Sequence, residues 1–106
     1  MEILDEKRNY LSGYKVLGAK IDRLCEMSRM FPKEKEAYLK KADETRNFMK
    51  KIESNIERVD NGLLSEILFQ KYVLGRSLET VSYALNYSKR QIERLHLVAL
   101  EKISIC

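Results

Sequence analysis

Between Leu85 and Ile92 this chain has no room for a wide turn. Two short apolar-periodic segments, Leu78/Val81/Leu85 and Ile92/Leu95/His96/Ala99/Ile103, are separated chiefly by Asn86, Tyr87 and Ser88. Asn is the residue after Gly that best tolerates the left-handed region, so Asn86 suits the end of a helix. Ser88 with Gln91 fits the S-x-x-Q capping box that opens one. Two helices joined so tightly cannot lie antiparallel; they cross steeply, as in a helix-turn-helix. The preceding run, LLSEILFQKYVLG, is apolar-periodic up to Gly75, another natural helix terminator. Ser77 then stands where an N-cap is needed, and Glu79 falls in the first turn, where the helix dipole favours an anion. The spacing therefore predicts three short helices from Leu63 to Ile103.

The third of these resolves into faces. At about 100° per residue, Ile92, Leu95, His96, Ala99 and Ile103 share one side, with Leu100 at its edge. Lys89 sits near the start, and Arg90 and Arg94 project from the opposite side one turn apart. A buried stripe backed by a cationic N-terminal half is the arrangement of a recognition helix. Arg can make a bidentate contact with guanine, and Lys and Arg both contact phosphate. The competing reading of Lys89, Arg90 and Arg94 is an ordinary solvated face. Gln91 has two competing uses, reading adenine or closing the capping box with Ser88. Arg76 and Ser77 open the middle helix, and helix N-termini bind phosphate. His96 is the only histidine; its place on the packed side predicts a hydrogen-bonded structural role. Leu97 and Val98 lie off the main buried stripe, which favours a protein-docking surface as the alternative.

A length of 106 residues suits one small domain, or a small domain with an extension. One Pro, four Gly and no Trp permit long helices and give no support to an all-β fold. The net charge of +4 and pI near 9.1 are mildly basic and argue only weakly for nucleic acid. From Gly62 onward the cations Lys71, Arg76, Lys89, Arg90, Arg94 and Lys102 are interspersed with Glu66, Glu79, Glu93 and Glu101. The case for DNA rests on where Lys89, Arg90 and Arg94 sit. Cys25 and Cys106 lack zinc-ligand spacing, and no disulfide framework is expected. The opening MEILDEKRNYL has no apolar h-region and no segment is long enough to span a bilayer, so a soluble, cytoplasmic protein is expected. Without a carboxylate pair, a nucleophile–base pair or a Gly-rich phosphate loop, the expectation is a non-enzyme with no cofactor or metal.

Residues before Asn61 read as two long helices. Ile3, Tyr10, Tyr14, Leu17, Ile21 and Leu24 form one stripe, and Leu4, Leu11, Gly18 and Cys25 a second beside it. The first helix should stop near Met30, because Pro32 disfavours α geometry at Phe31; Pro32 then suits the first turn of the next. Tyr38, Ala42, Thr45, Met49, Ile52, Ile56 and Val59 pattern the second helix, and Asp60-Asn61-Gly62 reads as its stop signal. Tyr10, Tyr14 and Tyr38 at helical spacing read as helix–helix contacts. The KEKEAYLKKADETR stretch reads as a solvated face with i,i+4 pairs. The fold expected is all-α: a long N-terminal helical hairpin (residues 1–61) followed by a three-helix helix-turn-helix DNA-binding domain (residues 62–106). Two stripes on one helix exceed what its neighbour can cover, which leaves one to meet the C-terminal module or another chain; the module is too short for the whole length, so the hairpin is expected to form a homodimer or contact a partner.

The stretch GRSLETVSYALNYSKRQIERLHLVALEKI resembles region 4 of bacterial sigma factors. More specifically it is similar to small phage and prophage regulators of late genes, of the RinA and ArpU kind. The residues that carry the likeness are Gly75, Ser77, Glu79, Val81, Leu85, Tyr87, Ser88, Ile92, Leu95, His96, Ala99 and Leu100. Arg94-Leu95-His96 with Ala99-Leu100 is similar to an R-L-H-x-x-A-L ending common there. YLSGYKVLGAKIDRL is more loosely similar to the leading helix of such proteins. The chain departs from the pattern at Thr80-Val81-Ser82, where glutamate-isoleucine-alanine is usual, and at Leu78, where an aromatic is frequent. The resemblance implies a phage-derived, sequence-specific double-stranded DNA-binding transcription regulator with RNA polymerase as a further partner. The alternatives are an interaction module docking on polymerase or another protein, and a DNA-packaging adaptor.

Overall fold

The computed structural model describes residues 2–104, and every element among them is helical. Cys106 lies outside the described residues. Helix α1 spans Glu2–Met30. It stops where Pro32 requires it to: Phe31 leaves helical geometry at φ −124°, ψ 77°, and Pro32 opens a single 3-10 turn, Pro32–Glu34. That turn leads into α2, Lys35–Glu57. The two helices run antiparallel. Tyr10 meets Asn55, Tyr14 meets Glu53, Gly18 faces Met49 and Cys25 faces Arg46.

α2 ends at Glu57, two residues before the end that the Ile56/Val59 periodicity predicts. Val59 is nonetheless buried, held by its N–H donating to the Ile56 carbonyl at 3.1 Å. Asn61 is not part of a stop signal alone. Its side chain accepts from the N–H groups of Leu63 and Leu64, which makes it the N-cap of α3, Gly62–Leu68. α3 continues into a π-helical turn, Phe69–Val73, which the sequence does not announce. Gly75 follows at φ +74°, a left-handed conformation that strains any residue with a Cβ, and the end of the Lys15 side chain reaches across from α1 to lie beside it. α4, Leu78–Leu85, and α5, Lys89–Lys102, complete the chain.

The core is continuous across both halves. Leu11, Ile52, Ile56 and Val59 pack with Leu64, Leu68, Tyr72, Ala99, Leu100 and Ile103. A smaller cluster of Ile67, Val81 and Ile92 ties α3, α4 and α5 together. Leu100, at the edge of the α5 stripe, is fully buried, in one cluster with Leu11 of α1 and Ile52 and Ile56 of α2. On the Leu4/Leu11 stripe of α1, Leu11 is fully buried and Leu4 packs on the same cluster, so at this end the stripe meets the C-terminal helices, one of the two partners expected for it. Ile3 leaves its predicted stripe and is exposed. Lys7 fastens the same junction by donating to the Glu101 carbonyl at 2.9 Å, a cation on the C-terminal end of α5. The far half of the hairpin projects beyond this core, and the molecule measures 52 × 27 × 23 Å.

Candidate nucleic-acid interface

The α4–α5 junction is built by local signals. Ser77 caps α4, its hydroxyl accepting from the Thr80 N–H at 3.1 Å. Asn86 ends the helix in the left-handed region at φ 59°, ψ 41°. Its N–H reaches back to Tyr83, and the Tyr87 N–H to the Ser82 carbonyl at 3.0 Å, which together make a Schellman closure. Ser88 then opens α5. Its hydroxyl accepts from the Gln91 N–H, and the Gln91 side-chain carbonyl accepts from the Ser88 N–H at 3.0 Å. Both arms of the capping box are present. Ser82, packed at 3% exposure, is small enough for α4 to lie close against its neighbours.

α5 turns Ile92, His96, Ala99 and Leu100 inward. Lys89, Arg90, Gln91 and Arg94 are all exposed. Among the described residues neither Glu93 nor Glu101 forms an ion pair with Lys89, Arg90 or Arg94; the two ion pairs found, Arg8–Asp5 and Arg46–Asp43, both lie in the hairpin. Gln91 is occupied by the cap through its carbonyl, so its free amide group is the part left to meet a base edge. Arg76 is tethered: it donates to Gln70 at 3.3 Å, which in turn donates to Glu66 at 2.8 Å. One nitrogen of its guanidinium is thereby fixed just before α4, with other N–H donors remaining. The Ser77 hydroxyl is committed to Thr80 both as acceptor and as donor, leaving it as a structural cap.

Two exposed tyrosines stand on α4 and in the turn before α5, and neither is assigned a contact role by the sequence reading. Tyr83 is 75% exposed on α4, and Tyr87 is 39% exposed in the turn. The signal for Tyr83 was present: the Leu78/Val81/Leu85 stripe leaves position 83 on the opposite face. A tyrosine hydroxyl at such a place can donate to a phosphate oxygen.

His96 stands behind this surface. Its Nε2 and the Tyr72 hydroxyl share a hydrogen bond of 2.7 Å, with ring centroids 5.6 Å apart. Burial, with the nearby cations Lys71 and Arg8, pushes His96 down to about 4. Burial pushes Tyr72 up to about 12, against the opposing effect of Arg8. Both groups are therefore neutral near pH 7, and the pair is a packed polar contact between α5 and the π turn. Among the described residues no cluster of His, Cys, Asp and Glu gathers to hold a metal, and no helix is long and apolar enough to cross a membrane. No protein-family model, curated protein or solved structure gives a significant match to this chain.

Proposed function

We propose that this protein is a sequence-specific double-stranded DNA-binding transcription regulator of phage origin, related to the late-gene regulators of the RinA and ArpU kind that its sequence resembles. In this reading α3, α4 and α5 form a helix-turn-helix like sigma region 4, carried on the α1–α2 hairpin. Arg90 and Arg94 meet base edges in the major groove, and Lys89 and Arg76 anchor on phosphates. The observation that carries the reading is that Lys89, Arg90 and Arg94, at the capped N-terminal half of α5, are exposed and among the described residues are held in no ion pair. Cations held in ion pairs by Glu93 and Glu101 would have argued against it. A homodimer belongs to the same proposal, since two half-sites multiply contacts and match a two-fold operator. Its contact surface must lie outside the Leu4/Leu11 stripe, which the chain itself covers.

The test is selection of bound sequences from random duplex DNA with the wild type and Arg94→Ala. The wild type should enrich a defined motif, and Arg94→Ala should relax one position of it. Recovery of no motif by the wild type overturns the proposal. The second reading, docking on RNA polymerase or another protein, is favoured by one observation. Leu97 continues the Arg90/Arg94 line of α5 and is 41% exposed, an apolar side chain on an otherwise charged face. A DNA-packaging adaptor would be distinguished by assembly into a ring.

A further inference from the structure

A groove of about 660 Å³ runs between α1 and α2 in the half of the hairpin that the C-terminal helices do not reach. Its floor is apolar. Leu24 is buried at its base, Leu17 and Met27 line it from α1, and Phe48 lines it from α2. Phe48 is 49% exposed although its ring tilts against Tyr10 at 6.4 Å, so a large aromatic surface is left facing outward. The rim has one dominant sign. Lys20 and Arg23 stand along α1 and Lys41 along α2, with Glu44 the one carboxylate among the lining residues. Among the described residues none of these three cations is in an ion pair. Arg23 instead donates to the Met27 sulfur at 3.6 Å, which lays its stem along the floor.

An apolar channel between two helices, edged by cations, fits one kind of occupant well. We propose that this groove binds an acidic amphipathic helix of a partner protein. Apolar residues of that helix at i, i+3, i+4 and i+7 seat over Leu17, Met27 and Phe48, and its flanking carboxylates meet Lys20, Arg23 and Lys41. From Leu17 to Met27 the channel is roughly 15 Å long at 1.5 Å per residue, about three turns of the incoming helix. The charge pattern argues against a second copy of this chain in the same place. A two-fold pairing through the groove sets Lys20, Arg23 and Lys41 of one copy against the same residues of the other. An apolar floor with an aromatic argues likewise against a nucleic-acid backbone, which needs donors and charge along its whole track. The groove lies on the opposite half of the molecule from Lys89, Arg90 and Arg94, so the proposal stands whether or not those residues bind DNA.

The test is selection from a displayed library of helical peptides about five turns long, with randomised apolar and flanking positions, against the full-length protein. Enriched clones should be amphipathic and net acidic. Their affinity should fall at least tenfold against Lys20→Glu/Arg23→Glu and against Phe48→Ala. These side chains are exposed, so circular dichroism and thermal unfolding of the variants should match the wild type, and Lys20→Arg/Arg23→Lys should retain binding. Enrichment of no clone, or of clones indifferent to all of these substitutions, overturns the proposal. So does sedimentation equilibrium showing a dimer that Phe48→Glu dissociates, which gives the groove to a second copy. Direct binding of duplex DNA that Lys20→Glu/Arg23→Glu abolishes and Arg90→Ala/Arg94→Ala leaves intact gives the groove to nucleic acid and overturns the proposal as well.

Discussion

His96 is held neutral by its surroundings, and that has a cost in acid. Its folded value of about 4 lies below the ordinary 6.5. Between those two values the unfolded chain takes up a proton that the folded chain refuses. The contribution of His96 is therefore full above about pH 6.5 and is lost as pH falls towards 4. The whole shift corresponds to about 3 kcal/mol at 1.4 kcal/mol per unit. By pH 5, about 1.5 units below the unfolded value, something on the order of 2 kcal/mol of it is lost. Urea denaturation should show lower stability at pH 5 than at pH 7.5. In His96→Gln, which keeps a polar partner for Tyr72 and removes the titration, the difference should shrink; an equal slope in both proteins would contradict the buried neutral state. Asn86 offers a second residue-scale check, because its φ is 59°. Asn86→Val should destabilise by roughly 1–2 kcal/mol, since Cβ branching crowds the carbonyl in the left-handed region. Asn86→Gly should stay within about 0.5 kcal/mol of the wild type. Chemical denaturation of the two variants side by side reads this directly.

At the scale of the element, α5 combines a structural cap with an exposed cationic face, and the two can be separated. Ser88→Ala should cost about 1 kcal/mol of stability by removing the hydroxyl that the Gln91 N–H donates to. Among the described residues Arg90 and Arg94 form no ion pair, and both are exposed, so Arg90→Ala and Arg94→Ala should leave the unfolding midpoint near the wild type. In DNA binding they should each cost about 1–3 kcal/mol and relax sequence preference, whereas Lys89→Ala should weaken all sequences alike and reduce the salt slope. Arg90→Ala and Arg94→Ala with unchanged affinity and preference would remove α5 as a recognition helix. The caps and breaks of this element were legible because their determinants lie within four residues: Ser77 to Thr80, Ser88 to Gln91, Asn86 by itself. The inward face is legible from its period, with Leu100 marked only as its edge. The full burial of Leu100 comes from a cluster that includes Leu11, Ile52 and Ile56, which are distant in sequence, so no local pattern shows it. Asn61 was misread for a related reason: Asp-Asn-Gly suits a helix end and a helix start equally, and only the bonds to Leu63 and Leu64 decide. The π turn at Phe69–Val73 had no local signature either. Of the surface beside α5, Tyr83 was deducible from the α4 stripe, while the tether of Arg76 through Gln70 to Glu66 depends on how α3 ends.

At the scale of the molecule, the core crosses the boundary near residue 61. Leu11 on α1 and Ile52 and Ile56 on α2 are fully buried among Leu64, Leu68, Leu100 and Ile103. A fragment of residues 62–106 would expose that whole apolar face and keep only the small Ile67/Val81/Ile92 cluster. Chains of roughly this length without a metal or disulfides are marginal even with an intact core. The fragment should therefore lack a cooperative thermal transition by circular dichroism. The full chain should unfold in one transition, seen alike by probes placed in each half. Leu11→Ala, which opens a cavity where α1 meets the π turn and α5, should lower its stability by about 2–4 kcal/mol. A fragment that folds cooperatively, with dispersed amide resonances, would show that the halves are independent. The shared core has a functional consequence. Since α1 runs unbroken from the cluster under α5 to the Lys20/Arg23 groove, a helix seated in that groove is held at a fixed distance and rotation from Arg90 and Arg94. Binding at one end then positions what is held at the other without any change of shape. Leu11→Ala should loosen this arrangement and weaken any cooperation between duplex and peptide more than it weakens either alone. A double titration of wild type and variant with both ligands would measure that difference, and equal coupling in the two would show that the hairpin does not act as a rigid spacer.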